Sequence, residues 1–302
     1  MKIVFFNFFH NGDVHVSRGL VRQIMAKVNQ IDPSISFVYA HRNPANLLLD
    51  ISGLTFQPNL LNHIVSEHSN LTRYGDIVFF NTWYAQQHHK YMNRYGISFD
   101  TIYAAFNDSC KNLWNFSLSD ISEDPSIFFP TIDYSKFEIG IASEWLKNNP
   151  GRKILVENGL AHSDQAHNFP MTPVIVRLAQ KYPEITFILT TPDNISLPGN
   201  VIYSDNIIKK SVRSDLNEVS FLSSHCEMVI GRASGVFSFT LTQENLFQRK
   251  IKYLCFSNLV PNRPDKFWMS DLLSDKVNYR SSIITTNESD VNNVYNIIEE
   301  YL

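Results

Sequence analysis

The chain has 302 residues, 44% of them hydrophobic, enough for two domains of about 150 residues or one large α/β domain. Charged residues make up only 18% and the formal net charge is −3, so no basic field points to nucleic acid. Cys110, Cys226 and Cys255 are far apart and form no CxxC pair, so neither a disulfide framework nor a cysteine zinc site is suggested.

The chain opens MKIVFFNFFHNGDVHVSRGL. Lys2–Phe9 is a nearly continuous apolar run of strand length, too short and too weakly flanked to read as a signal peptide. His10-Asn11-Gly12-Asp13 follows, and then Val16, Leu20, Ile24 and Val28 mark one helical stripe over Val14–Asn29. Ser34–Ala40 and Leu47–Ile51 read as strands and Asn59–Glu67 as a helix. Asp76–Asn81 is a buried strand after a Gly75 turn, Trp83–Tyr95 a helix, Thr101–Phe106 a weaker strand, and residues 107–133 are irregular. Lys136–Asn148 reads as a helix stopped by Asn149-Pro150-Gly151, the best linker in the chain.

The alternation then restarts. Strands are expected at Lys153–Glu157, Thr186–Thr190, Asn200–Tyr203, Met228–Gly231 and Lys250–Phe256, and helices at Thr172–Tyr182, Asp215–His225, Val236–Thr242 and Ser289–Tyr301. Two runs of βαβα units predict two doubly wound Rossmann-like α/β domains facing a central cleft. One spans residues 1–149 and the other 150–302, with the last helix free to pack back on the first domain.

Sheets of this kind bind ligands outside the carboxyl ends of their strands, so the loops there carry the candidates. In the second domain Asn158-Gly159 and Ser234-Gly235 stand where a strand hands over to a helix, a place suited to phosphate, and Arg232 adds a cation beside them. Ser163, Thr190, Thr191 and Ser238, with Asp205-Asn206-Ile207 for a nucleobase edge, complete the donor-side set. Neither GxGxxG nor a Walker pattern is present. In the first domain Asn11, Gly12, Trp83 and Tyr84 are acceptor-side candidates. Gly12 is read as letting the chain turn tightly off the strand. Asp13 reads equally as a helix cap, its pKa kept low by the helix start, and as a general base. His88-His89, His162 and His167 have no partner at a metal-ligand spacing, so no metal is expected.

Asn11-Gly12-Asp13-Val14 after the first strand resembles the start of the bacterial heptosyltransferases (glycosyltransferase family 9, GT-B fold). The stretch from Asp215 to Gly235, a helix, a strand and a Ser-Gly turn, is similar to the part of that family that holds the donor diphosphate. The resemblance implies a glycosyltransferase. In it Asp13 is the catalytic base, a nucleotide-diphosphate sugar docks on the second domain, and Arg232 stabilises the leaving diphosphate. A glycan or lipid-linked glycan of the bacterial surface, such as lipopolysaccharide or capsule, is the acceptor, and transfer inverts the anomeric carbon without a metal or other cofactor. The departures are Ala233 before Ser234-Gly235, Ser238 where the family has a histidine, and no lysine after the first strand of the second domain; they leave the sugar open. A catalytically idle module that binds glycan or protein and a UDP-sugar 2-epimerase-like enzyme are the alternatives. The expected location is the cytoplasm, with peripheral contact at the inner face of the membrane.

Overall fold

The computed structural model describes residues 1–58, 60, 71–83, 107–108, 110–115, 129–162, 165–258 and 282–302. The chain divides into two compact units, one holding the described residues up to Asp133 and the other those from Tyr134 onward.

In the first unit the apolar runs become the centre of a sheet. The strands are β1 (Lys2–Asn7), β2 (Ser36–His41), β3 (Leu54–Phe56), β4 (Leu71–Tyr74) and β5 (Ile77–Asn81), in the order β3-β2-β1-β5-β4. All neighbours are parallel except β4, which returns antiparallel on β5. Gly75, at φ +55°, makes that turn, where a side chain would be strained. Ile3 to Phe6 of β1 are wholly buried, as a central parallel strand requires. Helix α1 (Asn11–Ile31) lays Val14, Leu20, Val21, Ile24 and Val28 against the core. Arg18 and Arg22 on this helix pair with the buried Asp50, and Arg22 also donates to the Thr131 carbonyl at 2.6 Å.

Three expectations fail here. Within 107–133, read as irregular, the described residues 107–108 and 110–114 are helical, with Cys110 wholly buried. Leu47–Ile51 is a buried turn rather than a strand. Its apolar residues recur at helical spacing, the Ile51 amide donates to the Leu48 carbonyl, and the Asn46 side chain accepts from the Leu48 amide. Helix α1 also begins three residues early, so Gly12 lies inside its first turn, and its φ is not positive. The turn off β1 is made by Phe8, Phe9 and His10. The helices expected at Asn59–Glu67 and Trp83–Tyr95, and the strand expected at Thr101–Phe106, lie outside or almost outside the described residues.

The second unit opens with a short 3-10 turn (Tyr134–Lys136) and helix α2 (Gly140–Asn148), where one continuous helix was expected. Then come β6 (Arg152–Glu157), α3 (Met171–Lys181), β7 (Ile185–Leu189), β8 (Val201–Tyr203), α4 (Leu216–Ser223), β9 (Met228–Arg232), α5 (Gly235–Phe239), β10 (Lys252–Phe256), β11 (Ser282–Thr286) and α6 (Val291–Tyr301). The sheet is wholly parallel in the order β11-β10-β9-β6-β7-β8. Numbered from β6, this is 3-2-1-4-5-6, the doubly wound Rossmann order. Strand order reverses between β6 and β9, so that pair is the place where such sheets bind ligands. Helix α6 packs on α3. Val294 and Ile298 are fully buried, Arg177 lies over the Tyr295 ring at 4.3 Å, and Lys181 pairs with Glu299 at 2.6 Å. Among the described residues no helix is long and apolar enough to cross a membrane.

Candidate functional site

At the reversal point of the second sheet, β6 ends in Glu157 and β9 ends in Gly231-Arg232. Glu157 is 2% exposed. The backbone around it is built to admit it. A Cβ on Gly159 would stand 2.9 Å from Glu157 Oε1 and 2.9 Å from Thr191 Oγ1, and one on Gly231 would stand 2.7 Å from Glu157 Cβ. Only glycine fits either position without displacing the acid. Burial pushes the Glu157 carboxyl up to about 7. The Arg232 amide, the Arg232 charge, the Gly159 amide and the Ser234 hydroxyl pull the other way but do not cancel it. The Arg232 amide lies 3.2 Å from Glu157 Oε2.

Asn158 ties the exit of β6 to the exit of β7. Its side chain accepts from the Thr191 amide (2.9 Å) and donates to the Thr191 carbonyl (2.7 Å) and to Thr172 Oγ1 at the start of α3 (3.1 Å). Ser234 is the N-cap of α5, accepting from the Phe237 amide at 3.2 Å, and Ser238 donates back to the Ser234 carbonyl at 2.9 Å. The helix is only five residues long, so little dipole stands behind the Ser-Gly turn. Asn158, Gly159, Thr190, Thr191 and Ser234 thus gather around Glu157. Asp205 and Asn206 are exposed on a 3-10 turn (Ser204–Asn206) at the edge of the sheet. They connect to the group through Ser204 Oγ, 3.4 Å from the Thr190 carbonyl, and Ile207 is buried. Ser163 lies outside the described residues.

Arg232 is placed differently from the sequence reading. Its side chain is wholly buried. The guanidinium donates to the carbonyls of Gly159 (2.6 Å), Asn158 (3.1 Å), His167 (3.3 Å) and Phe169, and lies 4.6 Å from the Phe169 ring centre. The fork is spent on the loop after β6. Arg232 shapes that loop from beneath and does not present a cation to a phosphate.

In the first unit, order reverses between β1 and β5, and the two strands leave the sheet by the same device. Asn7 Oδ1 accepts from the Phe9 amide at 2.8 Å, and Asn81 Oδ1 accepts from the Trp83 amide at 2.9 Å. The two turns bring the Phe9 and Trp83 rings into a stack 3.6 Å apart at 26°. His41, at the end of β2, takes the Asn43 amide on Nδ1 (3.1 Å) and faces the Phe9 carbonyl with Nε2 (3.1 Å); burial holds it down to about 4, so the ring is neutral. Asn11 Oδ1 accepts from Asn43 at 3.0 Å.

Asp13 sits in the first turn of α1, half-buried, and accepts from the His10 amide at 3.2 Å. The expected low pKa does not hold. Burial raises it to about 6, outweighing the His10 amide and charge. Tyr84 lies outside the described residues. Among the described residues no group of three His, Cys, Asp or Glu is placed to hold a metal ion. The residue that sequence reading missed is Glu157. The available signal was Gly231, a glycine inside a strand pattern, which marks a close approach.

No protein-family model matches the chain, and neither does any curated protein. Solved structures do match. A glycosyltransferase of family 9 from Veillonella parvula is 9% identical over 99% of this chain and 90% of its own, with a TM-score of 0.51. Escherichia coli heptosyltransferase WaaC, solved with ADP-2-deoxy-2-fluoro heptose, is 13% identical over the full length of both chains, with a TM-score of 0.48. A putative UDP-N-acetylglucosamine 2-epimerase from Listeria monocytogenes is 11% identical over 99% of this chain and 87% of its own, with a TM-score of 0.44. The chain therefore has the two-sheet α/β fold of a family 9 glycosyltransferase, as its opening and its Ser-Gly turn suggest.

Proposed function

We propose that the protein is a glycosyltransferase that moves a sugar from a nucleoside-diphosphate donor to a hydroxyl of a bacterial surface glycan, with inversion and without a metal. The reading rests on one observation above the rest: Asn158-Gly159, Thr190-Thr191 and Ser234-Gly235 meet at the reversal point of a Rossmann-ordered sheet. The amides of these loops and the Ser234 hydroxyl receive the diphosphate, and Asp205 and Asn206 lie toward the nucleoside. Arg232 holds the loop carbonyls so that these amides are oriented before the donor arrives.

On the first unit Asp13 takes the proton of the acceptor hydroxyl as its oxygen bonds to the anomeric carbon. The bond from that carbon to the diphosphate oxygen breaks, and the diphosphate leaves with the electron pair. A carboxylate with a pKa of about 6 is still ionised at pH 7 and is a stronger base than an ordinary aspartate. Trp83, with Phe9 beside it, offers an aromatic face to the acceptor. The enzyme works in the cytoplasm on an acceptor at the inner face of the membrane.

The test measures binding of ADP, GDP, UDP and CDP, and then sugar transfer from the sugar nucleotides of whichever binds. Asp13→Asn is expected to lower transfer by about 10³-fold and to leave nucleotide affinity within about twofold. A wild-type protein that binds no nucleotide overturns the reading, and an Asp13→Asn protein with full turnover removes Asp13 from it.

A further inference from the structure

Lys153 is the second residue of β6 and Glu157 the last, about 13 Å apart along the strand. Residues 153, 155 and 157 project from one face of the sheet, so Lys153 lies under that face at the end away from the loops described above. It lines a cleft of about 500 Å³ together with Arg152, His225, Cys226, Glu227 and Arg249, a volume usual for a small-molecule site. Lys153 is 6% exposed, yet its ammonium donates only to the Gly151 carbonyl, at 2.9 Å, and among the described residues no carboxylate pairs with it. An ammonium has three donors, and a buried one is ordinarily paired with an anion.

The neighbouring groups do not supply that anion. Glu227, the one carboxylate in the lining, is held by Arg152 from Nε (2.9 Å) and Nη2 (2.7 Å). Arg249 pairs with Glu244 through Nε (2.8 Å) and Nη2 (2.7 Å). The carbonyls at the end of α4 are occupied as well: that of Phe221 accepts from Ser224 Oγ (2.8 Å) and His225 Nδ1 (3.1 Å), and that of Leu222 from Cys226 Sγ (3.3 Å). Burial pushes the Cys226 thiol up to about 12, so it stays neutral. Three cations and one carboxylate thus line the cleft, on a chain whose net charge is −3.

We propose that this cleft binds a phosphate group, free or carried on a small molecule, with Lys153 as its buried counter-ion and Arg152 and Arg249 at its rim. A tetrahedral oxyanion presents several oxygens at once to cations on separate segments, which the two oxygens of a carboxylate do less well. The site stands at the opposite end of β6 from the donor loops and does not depend on the donor reading.

The experiment follows thermal unfolding of the full chain against inorganic phosphate and against ribose 5-phosphate, at constant ionic strength with chloride as the balancing anion. Wild type is expected to respond saturably, with a dissociation constant of about 1 mM or below. Lys153→Met keeps the buried stem without the ammonium and is expected to bind at least about tenfold more weakly, and Arg249→Gln, at the rim, about threefold. Salting-out by phosphate, and any phosphate taken by the loops after β6 and β9, act alike on wild type and variants and are subtracted. Tighter binding of ribose 5-phosphate shows that the group arrives on a larger molecule, and equal affinities identify free phosphate as the ligand. A wild type with no saturable response, or a Lys153→Met protein with wild-type affinity, overturns the proposal and leaves the donor site standing. Should Lys153→Met fail to fold, an Arg249→Gln protein with wild-type affinity overturns it.

Discussion

Both units place an acid beside the reversal point of a parallel sheet, and burial raises both acids, Asp13 to about 6 and Glu157 to about 7. They differ in what can reach them. Asp13 stands on the first turn of a helix, partly buried, with the backbone amides of His10 and of Asp13 itself on its carboxylate. Glu157 ends a central strand, is 2% exposed, and is roofed by glycines and a serine. The strand exits differ in the same sense. Asparagine-braced turns carrying a stacked Phe9–Trp83 pair close the first, and glycine and a buried arginine hold the second open to backbone amides. A raised pKa alone therefore does not assign a role. An acid that substrate can touch is suited to move a proton, and an acid sealed under a loop acts through its neighbours.

The contrast can be broken at four places, in falling order of effect. If Asp13 is the base, kcat/KM falls by about tenfold per pH unit below pH 6, because protonation removes the reactive form. In Asp13→Asn that acid limb disappears along with about 10³ in rate; a pH–rate profile reads both. Arg232→Lys keeps the charge but loses the fork that holds several loop carbonyls, and is expected to lower unfolding free energy by ~3 kcal/mol in urea titration. A loss near zero would return Arg232 to the role of a ligand-facing cation. Gly231→Ala drives a Cβ against the Glu157 Cβ and the Phe237 ring, for an expected loss of ~2 kcal/mol by the same measurement. Trp83→Ala removes one half of a surface stack and is expected to cost ~1 kcal/mol, while raising KM for the acceptor with kcat unchanged.

The sequence makes the strands plain because a parallel sheet buried on both faces needs unbroken apolar runs, and Lys2–Asn7, Ile185–Leu189 and Lys252–Phe256 are such runs. It hides β4, whose four residues are half-buried or exposed, and it misplaces the strand near Leu47, where burial comes from a turn. Asn158, Gly159, Thr190, Thr191 and Ser234 are legible because strand-to-helix loops of such sheets must meet. Arg232 and Glu157 are not. Arg232 is decided by carbonyls 63 to 74 residues away, and Glu157 by a glycine and an amide on a strand 75 residues further on. A basic residue after a strand and an acidic one at its end read locally as contacts to ligand and solvent, whereas both are buried.

The packing of Glu157 against one glycine in the loop after its own strand and another on β9 has a consequence for how these positions can vary. Gly159 and Gly231 are small because Glu157 is large and close to both. In a library that randomises the three positions together, alanine at 159 would survive chiefly beside a shorter residue at 157, and the combined cost of Gly159→Ala with Glu157→Ala would be less than the sum of the two, whereas alanine at 231 would still meet the Cβ of residue 157 and the Phe237 ring. Residues 157 and 159 would then trade as a pair while Gly231 stays fixed, and a fold that keeps the two glycines while shortening the acid would carry an empty pocket beneath its Ser-Gly turn.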